Sequence, residues 1–174
     1  MNEKHGSGTA YEECAAGETQ ERSWRLCATP VGMLRITESE KGITGLSFTD
    51  DTEAEPDMSG IYLGDACRQL HEYFAKTRRS FDVPLDLRGS RFQMLVWNEL
   101  LSIPYGETRS YQDIAERLGN PKAARAVGLA NNRNPVLIMI PCHRVVGKDK
   151  KLVGYAGGIE RKKYLLELEK DGSL

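Results

Sequence analysis

Between Ser23 and Phe48 the chain reads SWRLCATPVGMLRITESEKGITGLSF, apolar and polar residues in alternation, broken at TPVG and SEKG. Alternation of this kind lines one face of a strand with apolar side chains, and Pro, Gly and Ser supply the breaks. Three short antiparallel strands are expected. TDDTEAEPDMSG follows as an acidic loop, GDACRQLHEYFAKT as a helix, and SFDVPLDL as a strand or extended connector. From Ser90 the period becomes helical. SRFQMLVWNELLS begins with Ser90 and Gln93 at capping-box spacing, brings Phe92, Leu95, Val96 and Leu100 to one face, and ends at Pro104 and Gly106. SYQDIAERLG is a second helix, capped by Ser110, stopped by Gly119, with Tyr111, Ile114, Ala115 and Leu118 on a shared face. Asn120 and Pro121 are an N-cap and first-turn pair for a third, KAARAVGLANN. Two short helices joined by GNP make a helix-turn-helix. VLIMI, before Pro141, reads as a buried strand, and a last helix covers Ile159 to Lys170.

This order gives an α+β fold. Residues 23–88 form a small N-terminal antiparallel sheet with a helix, and residues 89–174 a helical C-terminal subdomain containing the helix-turn-helix. Residues 1–22 are polar and acidic, unlike a signal peptide, and read as a disordered tail. With 174 residues, 40% of them hydrophobic and 28% charged, the chain can build a real core. No apolar run approaches the about 18 residues of a membrane span.

Charge is unevenly spread. Residues 88–174 hold 15 Lys and Arg against 9 Asp and Glu, a net +6, whereas residues 1–87 hold 9 against 16, a net −7. A basic C-terminal part points to a nucleic-acid surface there. The third helix adds to this. Ala123, Ala124, Ala126, Gly128 and Ala130 are small, as close helix packing or close approach to a groove requires. Lys122, Arg125 and Arg133 accompany them and suit phosphates or an inserted side chain.

The chemistry gathers at IPCHRVVG, residues 140–147. Pro141 fixes the backbone before Cys142, His143 offers a base for the thiol proton, and Arg144 offers positive charge that favours thiolate. On spacing alone, a nucleophile and a buried thiol both remain open. A cysteine hydrolase needs a distant histidine, and His5 and His71, the others present, lie in no suggestive context. Cys14, Cys27 and Cys67 form no CxxC pair. With His5 they have no zinc-finger spacing, so all four cysteines read as cytoplasmic thiols, without a disulfide framework or a metal.

IPCHRVVG, with SYQDIA, AARAVG, RNP and GYAGG at their offsets, resembles the active-site signature of the O6-alkylguanine-DNA alkyltransferases, and the likeness extends over roughly Trp24 to Glu169. The resemblance implies direct-reversal DNA repair, with one alkyl group moved from guanine O6, and less readily thymine O4, to the protein in a single turnover. It implies Cys142 as acceptor, His143 relaying the thiol proton through water to Glu169, Asn134 bracing them, and Tyr111 as proton donor to the guanine ring. It implies that Arg125 fills the gap left by a flipped base, that Tyr155, Ala156, Gly157 and Gly158 line the pocket, and that the backbone of the PCHRVV turn, Pro141 to Val146, contacts the base.

The expected partner is alkylated double-stranded DNA, bound by a monomer, with cooperative binding as an option and no membrane or cofactor. The expected place is cytoplasmic, on the nucleoid in a bacterium, or nuclear in a eukaryote. Ala156 stands where some relatives have serine, and relatives with an N-terminal zinc site have a Cys and His set that this chain does not repeat. A non-enzymatic subgroup lacks the cysteine, and Cys142 argues against membership. A lesion-flagging DNA binder and a Cys-His hydrolase are the rival readings.

Overall fold

The computed structural model describes residues 23–52 and 60–170; the expected tail lies outside them, as does most of the acidic loop. Strands β1 (Ser23–Thr29), β2 (Gly32–Ser39) and β3 (Gly42–Phe48) form one antiparallel sheet in chain order. Cys27 lies opposite Leu34, and Ile36 opposite Leu46. Leu34, Ile36, Ile43 and Leu46 face a core in which they are wholly buried. Glu38 shares the inward face of β2, an unfavourable place for a charge unless it is satisfied. Its carboxylate accepts from the backbone N–H groups of Ile61, Tyr62 and Leu63 at 2.8, 2.7 and 3.1 Å. Those are orphan donors at the start of helix α1 (Leu63–Phe74). A buried carboxylate in the sheet thus fixes where α1 begins.

The connector after α1 is extended, the second of its two expected forms. Ile43 donates to the Pro84 carbonyl at 2.8 Å, and Asp86 donates back to Ile43 at 2.9 Å. Gly42 makes this approach feasible: its φ is +151°, and a Cβ there would lie 2.4 Å from the Pro84 oxygen.

Helix α2 (Arg91–Leu101) has the expected capping box, with Ser90 and Gln93 satisfying each other's backbone donors. Its buried face differs from the expected one. Leu95 is exposed, Phe92 is half-buried, and Trp97 joins Val96 and Leu100 inside. The Trp97 indole donates to the Ala130 carbonyl at 2.9 Å, so the ring is held against the helix-turn-helix. That partner is 33 residues away, beyond the reach of a periodicity argument.

A short strand, β4 (Arg109–Ser110), leads into α3 (Tyr111–Arg117), which Ser110 caps in a box with Asp113. Gly119, at φ +72°, turns the chain. A 3₁₀ turn over Pro121–Ala123 precedes α4 (Ala124–Asn132), and the Asn120 side chain makes no capping bond. The proline, rather than a side-chain cap, begins this unit.

VLIMI is not a strand. Val136 forms a bridge beside Leu46 of β3, and the chain then turns tightly, with Ile138 at φ +70° and Ile140 donating back to Val136 at 3.0 Å. All five residues are buried. The run is apolar because protein surrounds it, and burial on every side erases the periodicity that separates strand from turn. Cys142–Arg144 is a 3₁₀ turn, β5 (Val145–Val146) pairs in parallel with β4, and α5 (Ile159–Lys170) closes the described chain.

One hydrophobic cluster runs from Cys27 through Trp97 and Ile140 to Leu168, so the sheet and the helices share a core. No helix among the described residues is long and apolar enough to cross a membrane.

Cys27 and Cys67 require a correction. They are not separate thiols: the packing of α1 on β1 brings their Cα atoms to 5.8 Å and joins them as a disulfide across 40 residues.

Candidate active site

The segment from Asn134 to Val146 is tied down at both ends before it presents any chemistry. Val136 is hydrogen-bonded into the edge of β3, and Val145 is paired to Arg109 at the entrance to α3. Between them lies Cys142, 1% exposed. Asn134 positions it. Its amide nitrogen donates to the Cys142 sulfur at 3.0 Å and to the Ile140 carbonyl at 2.8 Å, while its oxygen accepts from Val136 N–H at 2.9 Å. The orientation of that amide follows from the backbone donor and acceptor on either side.

His143 points the other way. Its Nε2 lies 2.9 Å from Glu169 Oε1, with both side chains fully buried. Glu169 also accepts from the Tyr73 hydroxyl at 2.6 Å, from Gly106 N–H at 3.1 Å and from the Arg144 guanidinium at 2.9 and 3.0 Å. A carboxylate accepts only, so Nε2 carries the imidazole proton and Nδ1 is left as an acceptor. Nδ1 has no hydrogen-bond partner among the described residues, and neither has the buried Tyr155 hydroxyl.

Burial lowers the pKa of His143, outweighing the Glu169 carboxylate that favours its charged form. Burial alone would raise Glu169, yet the hydrogen bonds and charges of His143 and Arg144 hold it at about 2. The pair is therefore neutral imidazole and carboxylate at neutral pH.

Burial also pushes the Cys142 thiol up to about 11, against the Asn134 hydrogen bond and the Lys162 charge. The expectation that Arg144 favours thiolate thus fails. Its charge is spent on Glu169, and its remaining nitrogen on the Ile103 carbonyl at 2.6 Å.

Lys162 and Tyr73 escaped the sequence reading. Lys162 is wholly buried on α5, and its ammonium donates to the carbonyls of Val145, Val153 and Gly154 at 2.6, 2.8 and 3.1 Å. It binds together both ends of the segment over the cysteine, and burial brings its pKa down to about 8. Two adjacent lysines in a charged helix give no hint of this. Tyr73, from α1, is 96 residues from the carboxylate it serves.

Tyr111, half-buried at the start of α3, donates to Val153 O at 3.3 Å. Burial, and then the charge of a Cys142 thiolate, raises its pKa, so it carries its proton at neutral pH. Tyr155 is buried with its ring edge-on to His143, centroids 6.5 Å apart. Gly157 has no room for a side chain, since a Cβ would lie 2.5 Å from Phe48 and 2.6 Å from the Tyr155 ring. Pro141 and Val145 are buried and Ala156 is exposed.

The helix-turn-helix residues divide. Lys122, Arg125, Ala126 and Arg133 are exposed, and none of the three cations makes an ion pair among the described residues. Ala124 and Gly128 are half-buried, the latter against the Tyr111 ring. Ala123, expected at a DNA surface, instead faces the core at 9% exposure, because the 3₁₀ turn rotates it inward. A recess of about 710 Å³ opens between α3, the start of α4 and residues 146–150, with Arg109, Tyr111, Lys148 and Lys150 on its walls.

Known proteins resemble this chain along most of its length. Residues 23–87 match the family model described as 6-O-methylguanine DNA methyltransferase, ribonuclease-like domain, and residues 91–171 match its DNA binding domain. A methylated-DNA–protein-cysteine methyltransferase of Mycobacterium tuberculosis is 50% identical over 153 residues, covering 84% of this chain and 92% of the relative. One from Methanosarcina acetivorans is 48% identical over 151 residues, covering 84% and 97%. The crystal structure of Mycobacterium tuberculosis OGT in complex with DNA superposes with a TM-score of 0.79 at 49% identity, covering 86% of this chain and 94% of that one. An O6-methylguanine DNA methyltransferase structure from Methanococcus jannaschii gives 0.62 at 27% identity, covering 84% and 93%. On these grounds the chain belongs to the 6-O-methylguanine DNA methyltransferase family.

Proposed function

We propose that this protein repairs alkylated double-stranded DNA by moving the alkyl group from guanine O6, and less readily thymine O4, onto Cys142. The observation that carries the reading is the linked set Asn134–Cys142 and His143–Glu169, buried beside a helix-turn-helix whose outer face bears exposed cations. Residues 23–88 serve as a platform, and residues 89–174 do the work.

The thiol is stored protonated, and thiolate forms on demand. His143 Nδ1, free to accept, takes the Cys142 proton through one water, and Glu169 stabilises the resulting imidazolium. The thiolate attacks the alkyl carbon in line with the C–O6 bond. The carbon–sulfur bond forms as that bond breaks, and its electron pair remains on the base. Tyr111, protonated at neutral pH, supplies the proton that makes the base a better leaving group. Tyr155, Ala156 and Gly157 bound the space for the base, and the backbone from Pro141 to Val145 supplies polar contacts. The product is a thioether, which these side chains have no means to cleave. Each molecule therefore acts once, as a monomer.

In-line attack needs the base out of its stack, at an unstacking cost of a few kcal/mol. Arg125 occupies the space the base leaves, while Lys122 and Arg133 hold phosphates and Ala126 and Gly128 permit close approach. The expected result for Arg125→Ala is slow repair of duplex DNA with a near-normal reaction on free O6-benzylguanine, which needs no extrusion. Equal loss on both substrates would show damage to the pocket. Weaker binding with an unchanged saturated rate would show a phosphate contact.

Intact-mass measurement with excess O6-methylguanine duplex tests the whole reading. One methyl group should be gained, mapped to Cys142, and the reaction should then stop. Continued turnover, or a methyl group elsewhere, excludes it.

A further inference from the structure

Away from the alkyl-acceptor centre, α1 and β1 bring together a second cysteine and histidine cluster. Cys67 and His71 are one turn apart on α1, on the same face, and Cys27 reaches them from β1. The His71 Nε2 lies 3.5 Å from the Cys27 sulfur, 3.9 Å from the Cys67 sulfur and 3.1 Å from the Ala28 carbonyl. The three ligand-type atoms all lie within 4.8 Å of one another. Cys27 and Cys67 are 1% and 6% exposed, whereas His71 is open to solvent.

We propose that Cys27, Cys67 and His71 form a redox site of their own, in which dithiol and disulfide interconvert by exchange with a low-molecular-weight disulfide. Three features support this. The two cysteines are already bridged, at a Cα separation of 5.8 Å that suits a disulfide without movement of the backbone. An imidazole stands at both sulfurs with its Nε2 proton turned to the Ala28 carbonyl, and once charged at Nδ1 as well it favours the thiolate that exchange requires. That imidazole is itself exposed, and Cys67 is the less buried of the two cysteines it touches.

In the oxidising direction the Cys67 thiolate attacks one sulfur of the small disulfide. A mixed disulfide forms and one small thiolate leaves. The Cys27 thiolate then attacks the Cys67 sulfur, closing the bridge and releasing the second small thiolate. The two protons lost by the cysteines leave on the two small thiols. Two electrons pass from the protein to the small disulfide, and the reverse sequence restores the dithiol. Cys142 has no part in this, since it is a free thiol held by Asn134.

The test equilibrates the full chain in anaerobic buffers of reduced and oxidised glutathione, quenches with acid, and counts free thiols with a mass-tagged maleimide. The wild type should show two fewer tags at the oxidising end, restored in full at the reducing end. Cys27→Ser and Cys67→Ser should each abolish the paired loss. His71→Asn should reach the same end points, with exchange slowed about tenfold at pH 7 through a smaller thiolate fraction. A tag count that is constant across the buffers overturns the proposal. So does a pair that becomes taggable only after a chelator is added, which would make the cluster a metal site with the soft ligands zinc prefers. Exchange at the wild-type rate in His71→Asn removes the imidazole from the site and overturns its role.

Discussion

Cys142→Ser is expected to transfer no methyl group to itself from O6-methylguanine duplex, while binding that duplex with near wild-type affinity. The two halves of this outcome rest on different parts of the molecule. Even the cysteine is hard to ionise here, since burial holds its thiol at about 11. An alcohol in the same place is far harder to ionise, and oxygen is the less polarisable nucleophile. Serine keeps the shape, and its oxygen still accepts from Asn134, so the surrounding turn is undisturbed. In the proposed binding mode DNA affinity rests on exposed cations such as Lys122, Arg125 and Arg133, whereas residue 142 is buried. Intact mass and a binding titration on one preparation report both quantities. Transfer by the serine variant would place the nucleophile elsewhere, and joint loss of binding would show that the substitution had damaged the fold.

Glu169→Gln is expected to damage both stability and transfer. The carboxylate stands under Tyr73, Gly106, His143 and Arg144 at once. Removing its charge leaves the Arg144 guanidinium buried and uncompensated, a change that costs about 3–5 kcal/mol. It also removes the anion that stabilises a charged His143, so transfer should slow by about 10²-fold or more.

A pH signature separates this from general damage. Glu169 sits at about 2 in the folded protein against an ordinary 4.5, so its stabilisation is complete above 4.5 and lost as pH falls toward 2. His143 is depressed below its ordinary 6.5, so its contribution too is present above that value and lost in acid. Calorimetry should therefore show the wild-type Tm falling from pH 7 to pH 3. In the glutamine variant the Tm starts lower and the part of the slope below pH 4.5 is reduced. An unchanged slope would contradict the pairing of this carboxylate.

The parts of this centre that the sequence made legible are the local ones. Cys142 and His143 are neighbours, and Asn134 precedes the cysteine by eight residues. The capping box at Ser90 and the cap at Ser110 span three residues each and form as expected, the latter as a box with Asp113. The parts that stayed hidden need the chain to fold back on itself. Tyr73 reaches Glu169 across 96 residues, and Lys162 closes on a segment whose carbonyls carry no side-chain signal. Cys27 and Cys67 looked like unrelated thiols because no spacing rule links a strand to a helix 40 residues later. VLIMI misled for a different reason. Periodicity needs one wet face, and this run has none.

The bond from Tyr73 to Glu169 also bears on modularity. The boundary near residue 88 looks like a seam along which the protein could be cut, grafted or recombined with a relative. The seam is crossed by a phenol whose neutral form is held by burial and by the carboxylate itself. A C-terminal fragment or a chimaera that lacks this hydroxyl would inherit the nucleophile, the histidine and the arginine, but with a carboxylate short of one of its strongest donors. To keep all of the carboxylate's bonds, the two parts must be matched. Any transplanted N-terminal half must bring a tyrosine at the equivalent place on its helix, however little else of its surface resembles the original.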